Sequence, residues 1–160
     1  MPRIELETMP QTNRTGYPAP FNADVQDRWY RRLGPAAGLT EMGASHVVLK
    51  PGAWSSQRHW HLGEDELLIM LTGQAILIED ANNETRGRTK LRGGDVCAWP
   101  KGAESGHHLI NESDQDCSFI CISAGTNAGG SYPDIDMIWG ADDLYRHKDG
   151  APYTESPRLL

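Results

Sequence analysis

An all-β fold, an antiparallel barrel or sandwich, is what this sequence predicts. Its apolar runs have strand length rather than helix length. Nearly every run is closed by a glycine or a proline. No amphipathic helical period lies between the runs, as alternating helices and parallel strands would require.

Residues 1–40 read as an N-terminal arm. Pro10, Gly16, Pro18, Pro20 and Gly34-Pro35 interrupt any regular period there. Within it, Asp24 to Leu33 accommodates one short helical turn, with Asp24 as its cap and Trp29 as an anchor. The barrel occupies 41–125. Its first strand is His46–Lys50, ended by Pro51-Gly52; Leu67–Leu71 and Ala75–Ile78 follow, hinged at Thr72-Gly73-Gln74. The polar stretch Glu79 to Lys90 reads as a turn. Asp95–Trp99 is the next strand, closed by Pro100, and His107–Ile110 and Cys117–Ser123 complete the series. Residues 126–160 are turn-rich again, with Gly129-Gly130, Tyr132-Pro133 and Asp149-Gly150, and form a C-terminal arm expected to pack on the barrel.

At 160 residues the chain holds one domain with a real core and is too short for two such barrels. A net charge of −7 argues against nucleic acid, since no Lys/Arg cluster exceeds the pair Arg31-Arg32. No apolar run approaches the ~20 residues that span a bilayer, and Met1 to Thr8 has no apolar core of the signal-peptide kind. A cytoplasmic protein without membrane contact is expected. Cys117 and Cys121 lie four apart on a strand, roughly 13 Å, too far for a disulfide; Cys97 reads as a core thiol.

The chemistry concentrates in one segment. His59 and His61 are separated by one residue, so on an extended strand they share a face roughly 7 Å apart. Glu66 opens the following apolar strand, and the pair His107-His108 lies downstream. Imidazoles with a carboxylate on one face suit a divalent transition metal, whether iron, manganese, cobalt, nickel or zinc. Glu64 and Asp65 read as surface charges beside the preferred ligand Glu66. Gln57 shares the parity of His59 and can reach the barrel mouth, whereas Arg58 has the opposite parity and suits an arm anchor. His46 and His147 read as solvent or interface residues. Asp134 and Asp136 are too few oxygens for a calcium loop, and Lys50 and Arg92 read as ordinary surface charges.

These residues resemble the two motifs of the cupin superfamily. Gly52, His59, His61, Glu66 and Gly73 follow the first motif, with one extra residue before His59; Gly94, Pro100, Gly102, His107 and Asn111 follow the second, with two extra before His107. The flanking residues 55–61 and 106–114 resemble small single-domain cupins of a group labelled sugar-phosphate isomerases. The resemblance implies a double-stranded β-helix, or jelly-roll barrel, carrying the two arms. It also implies one metal held by His59, His61, Glu66 and His107, with His108 as the alternative fourth ligand. Three histidines and one glutamate leave open positions, the mark of a catalytic site.

Three functions are compatible with such a site. The first is a metal-dependent enzyme on a small oxygenated metabolite, isomerase-like by resemblance, in which the metal acts as a Lewis acid and a carboxylate or histidine moves the proton. No inward basic cluster is evident, which speaks against a phosphorylated substrate. The second is an Fe(II) dioxygenase walled by Leu68, Met70, Ile76 or Ile78, on whichever parity faces inward. The third is a sensing module without turnover. Trp60 alternates with the two histidines and faces away from the metal, under an arm or at a subunit interface. The tryptophans at 29, 54, 60, 99 and 139, together with the arms, make a homodimer the expected assembly, with an arm tucked onto its own barrel as the alternative.

Overall fold

The computed structural model describes residues 3–81 and 85–153. Among the described residues twelve strands run in chain order: β1 (Arg28–Arg32), β2 (Met42–Leu49), β3 (Trp60–His61), β4 (Glu64–Thr72), β5 (Gln74–Ala81), β6 (Thr85–Arg92), β7 (Val96–Trp99), β8 (His107–Ile110), β9 (Cys117–Gly125), β10 (Gly130–Tyr132), β11 (Met137–Trp139) and β12 (Tyr145–Arg146), with one short α-helix, α1 (Leu33–Ala36). A five-stranded sheet has the order β1-β2-β9-β4-β7, and a three-stranded sheet the order β6-β5-β8. A four-stranded sheet, β12-β11-β10-β3, joins the C-terminal segment to the strand that carries His61. The pairings are antiparallel, as short strands joined by tight turns favour.

Alternation sorts the side chains. On β4, Leu68 and Met70 are buried while Asp65 stays in water. Their neighbours across the two main sheets are Val47, Leu49, Leu77, Leu91, Leu109 and Phe119, which together make the barrel core. Both arms build a second, aromatic core. Tyr17 and Val25 meet Tyr132 and Met137, with Tyr17 stacked on Tyr145 at 5.3 Å between ring centroids. Arm and barrel are thus continuous, because Trp60 of β3 faces Ser131 of β10 across the ladder.

Two stretches differ from expectation. Glu79 to Lys90 lies mostly in the paired strands β5 and β6; polar side chains occur there because a hairpin that extends from the barrel has little core to face. Its centre, 82–84, lies outside the described residues. The short helical turn near Asp24 is the 3-10 turn Ala23–Val25, with Asn22 rather than Asp24 at its cap, and Trp29 belongs instead to β1, whose register Trp29↔Val48 makes it the edge of the larger sheet. Cross-strand pairing outweighed the local helical propensity.

Gly73 links β4 to β5 at φ +70°, and a Cβ there would stand 2.6 Å from the Asp116 carbonyl oxygen. The Gly73→Ala variant is therefore expected to lose about 2 kcal/mol or more, from the left-handed backbone and the clash together. The denaturation midpoint measures this, and an unchanged midpoint would contradict the described turn.

Candidate metal centre

His59 and His61 sit on successive same-face positions of the segment entering β3, and Glu66 sits on β4. His107, first residue of β8, exchanges two backbone hydrogen bonds with His59, at 2.9 and 3.2 Å. The segment 59–66 and the distant His107 are thereby brought to one place. His59 Nε2 lies 3.2 Å from His61 Nε2, and Glu66 Oε2 lies 3.1 Å from both His61 Nε2 and His107 Nε2. His59, His61 and Glu66 each present one ligand atom within 4.8 Å of the others. His107 joins them through Glu66, its ring stacked on Trp99 at 3.8 Å.

A backbone carbonyl selects the tautomer of His59. His59 Nδ1 donates to the Gln57 carbonyl at 2.9 Å, which leaves its Nε2 lone pair facing the cluster, the arrangement that a bound cation needs. His107 Nε2 hydrogen-bonds Glu66 Oε2 at 3.1 Å, and the Ser105 carbonyl, 3.3 Å from Nδ1, can accept from that side when a cation takes Nε2. On the other side, Cys121 Sγ donates to Glu66 Oε1 at 3.0 Å, which fixes the carboxylate with Oε2 toward the imidazoles. The donor set fits a divalent transition metal.

The electrostatics agree. Burial, with His107 and His61 beside it, lowers the pKa of His59 to about 3, so this ring is neutral. Burial also disfavours charge on His61, but hydrogen bonds to Glu64 and Glu66 outweigh it and raise the pKa to about 9. Glu66 is held well below the ordinary carboxylate value: burial opposes this, and the His107 and His61 hydrogen bonds prevail. At neutral pH an incoming cation thus displaces one proton, from His61. Metal affinity is expected to rise about tenfold per pH unit up to about pH 9 and to level off above it. Metal titrations across pH check this, and a flat profile would refute the proton on His61.

Several expectations need correction. Glu64 is no surface charge: its Oε2 lies 3.4 Å from His61 Nδ1, and it lines an outer chamber that adjoins the cluster. It has the same strand parity as Glu66, a signal present in the sequence. Gln57 does not reach the mouth; its Nε2 donates to the Phe21 carbonyl and to Asp24, tying down the N-terminal arm. His46 is buried, 3.5 Å from an Arg31 nitrogen, rather than solvent-facing. His108 turns away from the cluster: its Nδ1 donates to the Ser56 carbonyl at 2.9 Å, and its ring meets Trp54 edge-on. Arg58 does anchor an arm, through Asp134. Asp134 and Asp136 diverge, the latter taking His147 and the Lys148 amide. Lys50 pairs with Asp116.

The cluster lies in a cavity of about 290 Å³ whose walls include Val47, Leu68 and Phe119. Met70 and Ile78 are buried in the core and Ile76 is half-exposed, so of the four suggested wall residues only Leu68 lines this cavity. Arg28 and Arg32 of β1 also line it, contrary to the expectation of no inward basic cluster.

Comparison with known proteins identifies this architecture. A family model described as "Cupin domain" matches residues 45–123. A sugar phosphate isomerase of the cupin superfamily from Silicibacter pomeroyi DSS-3 superposes with a TM-score of 0.85 at 32% identity, covering 96% of this chain and 97% of the other. The chain belongs to the cupin superfamily. The fold is likewise shared by a cupin 2 conserved barrel protein from Salinispora arenicola (TM-score 0.53, 22% identity, 78% and 87% coverage). A predicted oxalate decarboxylase from Thermotoga maritima shares the fold as well (0.51, 21%, 61% and 80%). No curated protein matches the sequence. Among the described residues of this cupin, no helix is long and apolar enough to cross a membrane.

Proposed function

We propose that this cupin is a divalent-metal-dependent enzyme that isomerises a small oxygenated metabolite of the sugar type. The observation that carries it is the position of Glu64, a second carboxylate in the wall beside the ligand cluster, free of the ligand role given to Glu66. His59, His61, Glu66 and His107 would hold the metal. When bound, it supplies Lewis acidity toward a carbonyl or a vicinal hydroxyl pair.

The protein's own groups do the rest. Glu64 is ionised at neutral pH, because the His61 hydrogen bond lowers its pKa against the opposing effect of burial. It accepts the proton from the substrate carbon and returns it to the neighbouring one. Tyr17 stays protonated, since burial pushes its phenol up, and can donate to a substrate oxygen while accepting from Tyr132. The apolar wall limits the entry of water. The Silicibacter pomeroyi cupin, named a sugar phosphate isomerase, supports the same reaction class.

The test is exchange of substrate carbon-bound hydrogen with deuterated water, measured by NMR on panels of aldoses and ketoses, free and phosphorylated, with metal-loaded protein. Exchange that is lost in Glu64→Gln, while bound metal is kept, supports the proposal. Oxygen uptake without exchange would instead favour the dioxygenase reading, to which the apolar wall of Val47, Leu68 and Phe119 is suited. Binding without either reaction would make this a sensing module.

For the assembly we propose a homodimer through the outer face of the larger sheet. Leu67, Ile69, Ile120 and Ile122 adjoin one another there, half-exposed, and Val96 opposite Ile69 is 59% exposed. The Ile69→Lys/Ile120→Lys double variant is expected to run as a monomer in light scattering. A wild-type monomer would refute this interface.

A further inference from the structure

We infer that Arg28 and Arg32 form an anion subsite beside the ligand cluster, so that the substrate carries a phosphate or a carboxylate group. This deepens the proposed function and rests on it for the identity of the neighbouring site.

Strand parity sets the arrangement. Arg28, Tyr30 and Arg32 alternate onto one face of β1, and Tyr30 on that face packs into the barrel core. Both arginines border the cavity that holds the histidines, and both also border the adjoining outer chamber walled by Tyr17, Tyr132 and Tyr145. His59, His61 and Ser56 are shared by the two spaces, so an occupant of one continues into the other.

Neither guanidinium is neutralised by a carboxylate among the described residues. Arg28 gives Nη1 to the Ser55 carbonyl at 3.1 Å and lies over the Tyr30 ring, with no acidic partner. Arg32 is exposed at the mouth and makes no hydrogen bond or ion pair among the described residues. Arg58 has Asp134 and Asp80, Arg88 has Glu112, and Arg146 has Asp142, whereas Arg14, Arg31 and Arg92 likewise have no carboxylate partner among the described residues; what distinguishes Arg28 and Arg32 is their place on the cavity beside the histidines. The acids that border the cavity are already engaged. Glu66 and Glu64 face histidines, and Asp143 accepts from Asn127 at 2.8 Å. Two uncompensated cations inside a chain of net charge −7 are the signature of a site awaiting an anion. Arginine suits this role because its planar fork meets phosphate or carboxylate oxygens two at a time. The phenol of Tyr17, kept neutral by burial, adds a donor on the wall of the same chamber.

Calorimetric titration of the full chain with inorganic phosphate, and separately with malonate, tests the subsite. The variants are Arg32→Gln, Arg28→Gln and His59→Ala. Arg32→Gln removes a side chain with no structural partner, so its folding is safe even if Arg28→Gln loosens the Ser55 segment. At least one anion is expected to bind wild type and His59→Ala alike, and to bind roughly tenfold or more weakly to each arginine variant. Tighter phosphate indicates a phosphorylated substrate; tighter malonate indicates a carboxylated one. The subsite is overturned if neither anion binds, if the arginine variants match wild type, or if only His59→Ala loses binding, which would put the anion on the metal. The metal reading is scored separately, by the metal content of the same His59→Ala protein.

Discussion

Replacing His59 with alanine is expected to reduce bound metal from about one equivalent to background in protein purified without chelator or histidine tag. The expectation follows from geometry: His59 Nε2 faces His61 Nε2 at 3.2 Å, and its Nδ1 is already committed to a backbone carbonyl. In the proposed site the variant lacks a ligand outright, so the loss should exceed the roughly 10–100-fold typical of an outer hydrogen-bond partner. Cys121→Ala provides that smaller comparison, since its thiol reaches only Glu66 Oε1. Elemental analysis of the three proteins, followed by competition with a chelator, gives the order wild type, Cys121→Ala, His59→Ala. Equal metal in wild type and His59→Ala would remove the site. The metal found then narrows the chemistry: iron directs attention to oxygen-dependent substrates, and manganese, zinc or nickel to the isomerase reaction.

The second large effect lies one residue away. Arg58→Met is expected to lower stability by about 3 kcal/mol, toward the lower end of the range for a broken buried ion pair. The guanidinium is 5% exposed and forks onto Asp134 through Nε and Nη2, at 2.9 and 2.7 Å, while Nη1 meets Asp80. Both carboxylates keep contact with water, at 27% and 33% exposure, and Asp80 keeps the Gly106 amide, which softens the penalty of losing the guanidinium. For a chain of this size the melting temperature should fall by roughly 6–12 °C. The consequence for the site is specific. Arg58 links β5 to the segment after β10, and β10 and β11 place Tyr132 and Trp139 against His59, at 5.7 Å between ring centroids in each case. Loosening that link should raise the hydrogen-exchange rates of β10 and β11 before those of β4 and β9. Uniform exchange across all four strands would show that the aromatic cluster alone holds the C-terminal arm.

Much of the barrel was legible because strand signals are local. His107–Ile110 is a strand with the expected bounds, and Leu67–Leu71 and Cys117–Ser123 fall inside β4 and β9. The His59-x-His61 spacing, with Glu66 at the head of the next strand, carried enough parity information to bring three side chains together. The same rule applied to β1 would have found Arg28, Tyr30 and Arg32. It went unused because the proline-rich flanks masked a strand that exists only through its pairing with β2. The polar part of the β5-β6 hairpin, Glu79 to Lys90, was hidden for a related reason: its strand character comes from cross-strand pairing, while the buried apolar positions Ala75, Leu77 and Leu91 lie outside that stretch.

The sequence by itself determined the antiparallel strands, the turn glycine at 73 and the histidine and glutamate positions, since each follows from residues a few places apart. Only the tertiary structure decided that His107 rather than His108 meets Glu66, that Glu64 turns inward and that two arginines border the same cavity. Those outcomes depend on which strands become neighbours, and pairing between distant segments is set by burial over the whole barrel rather than by any local pattern.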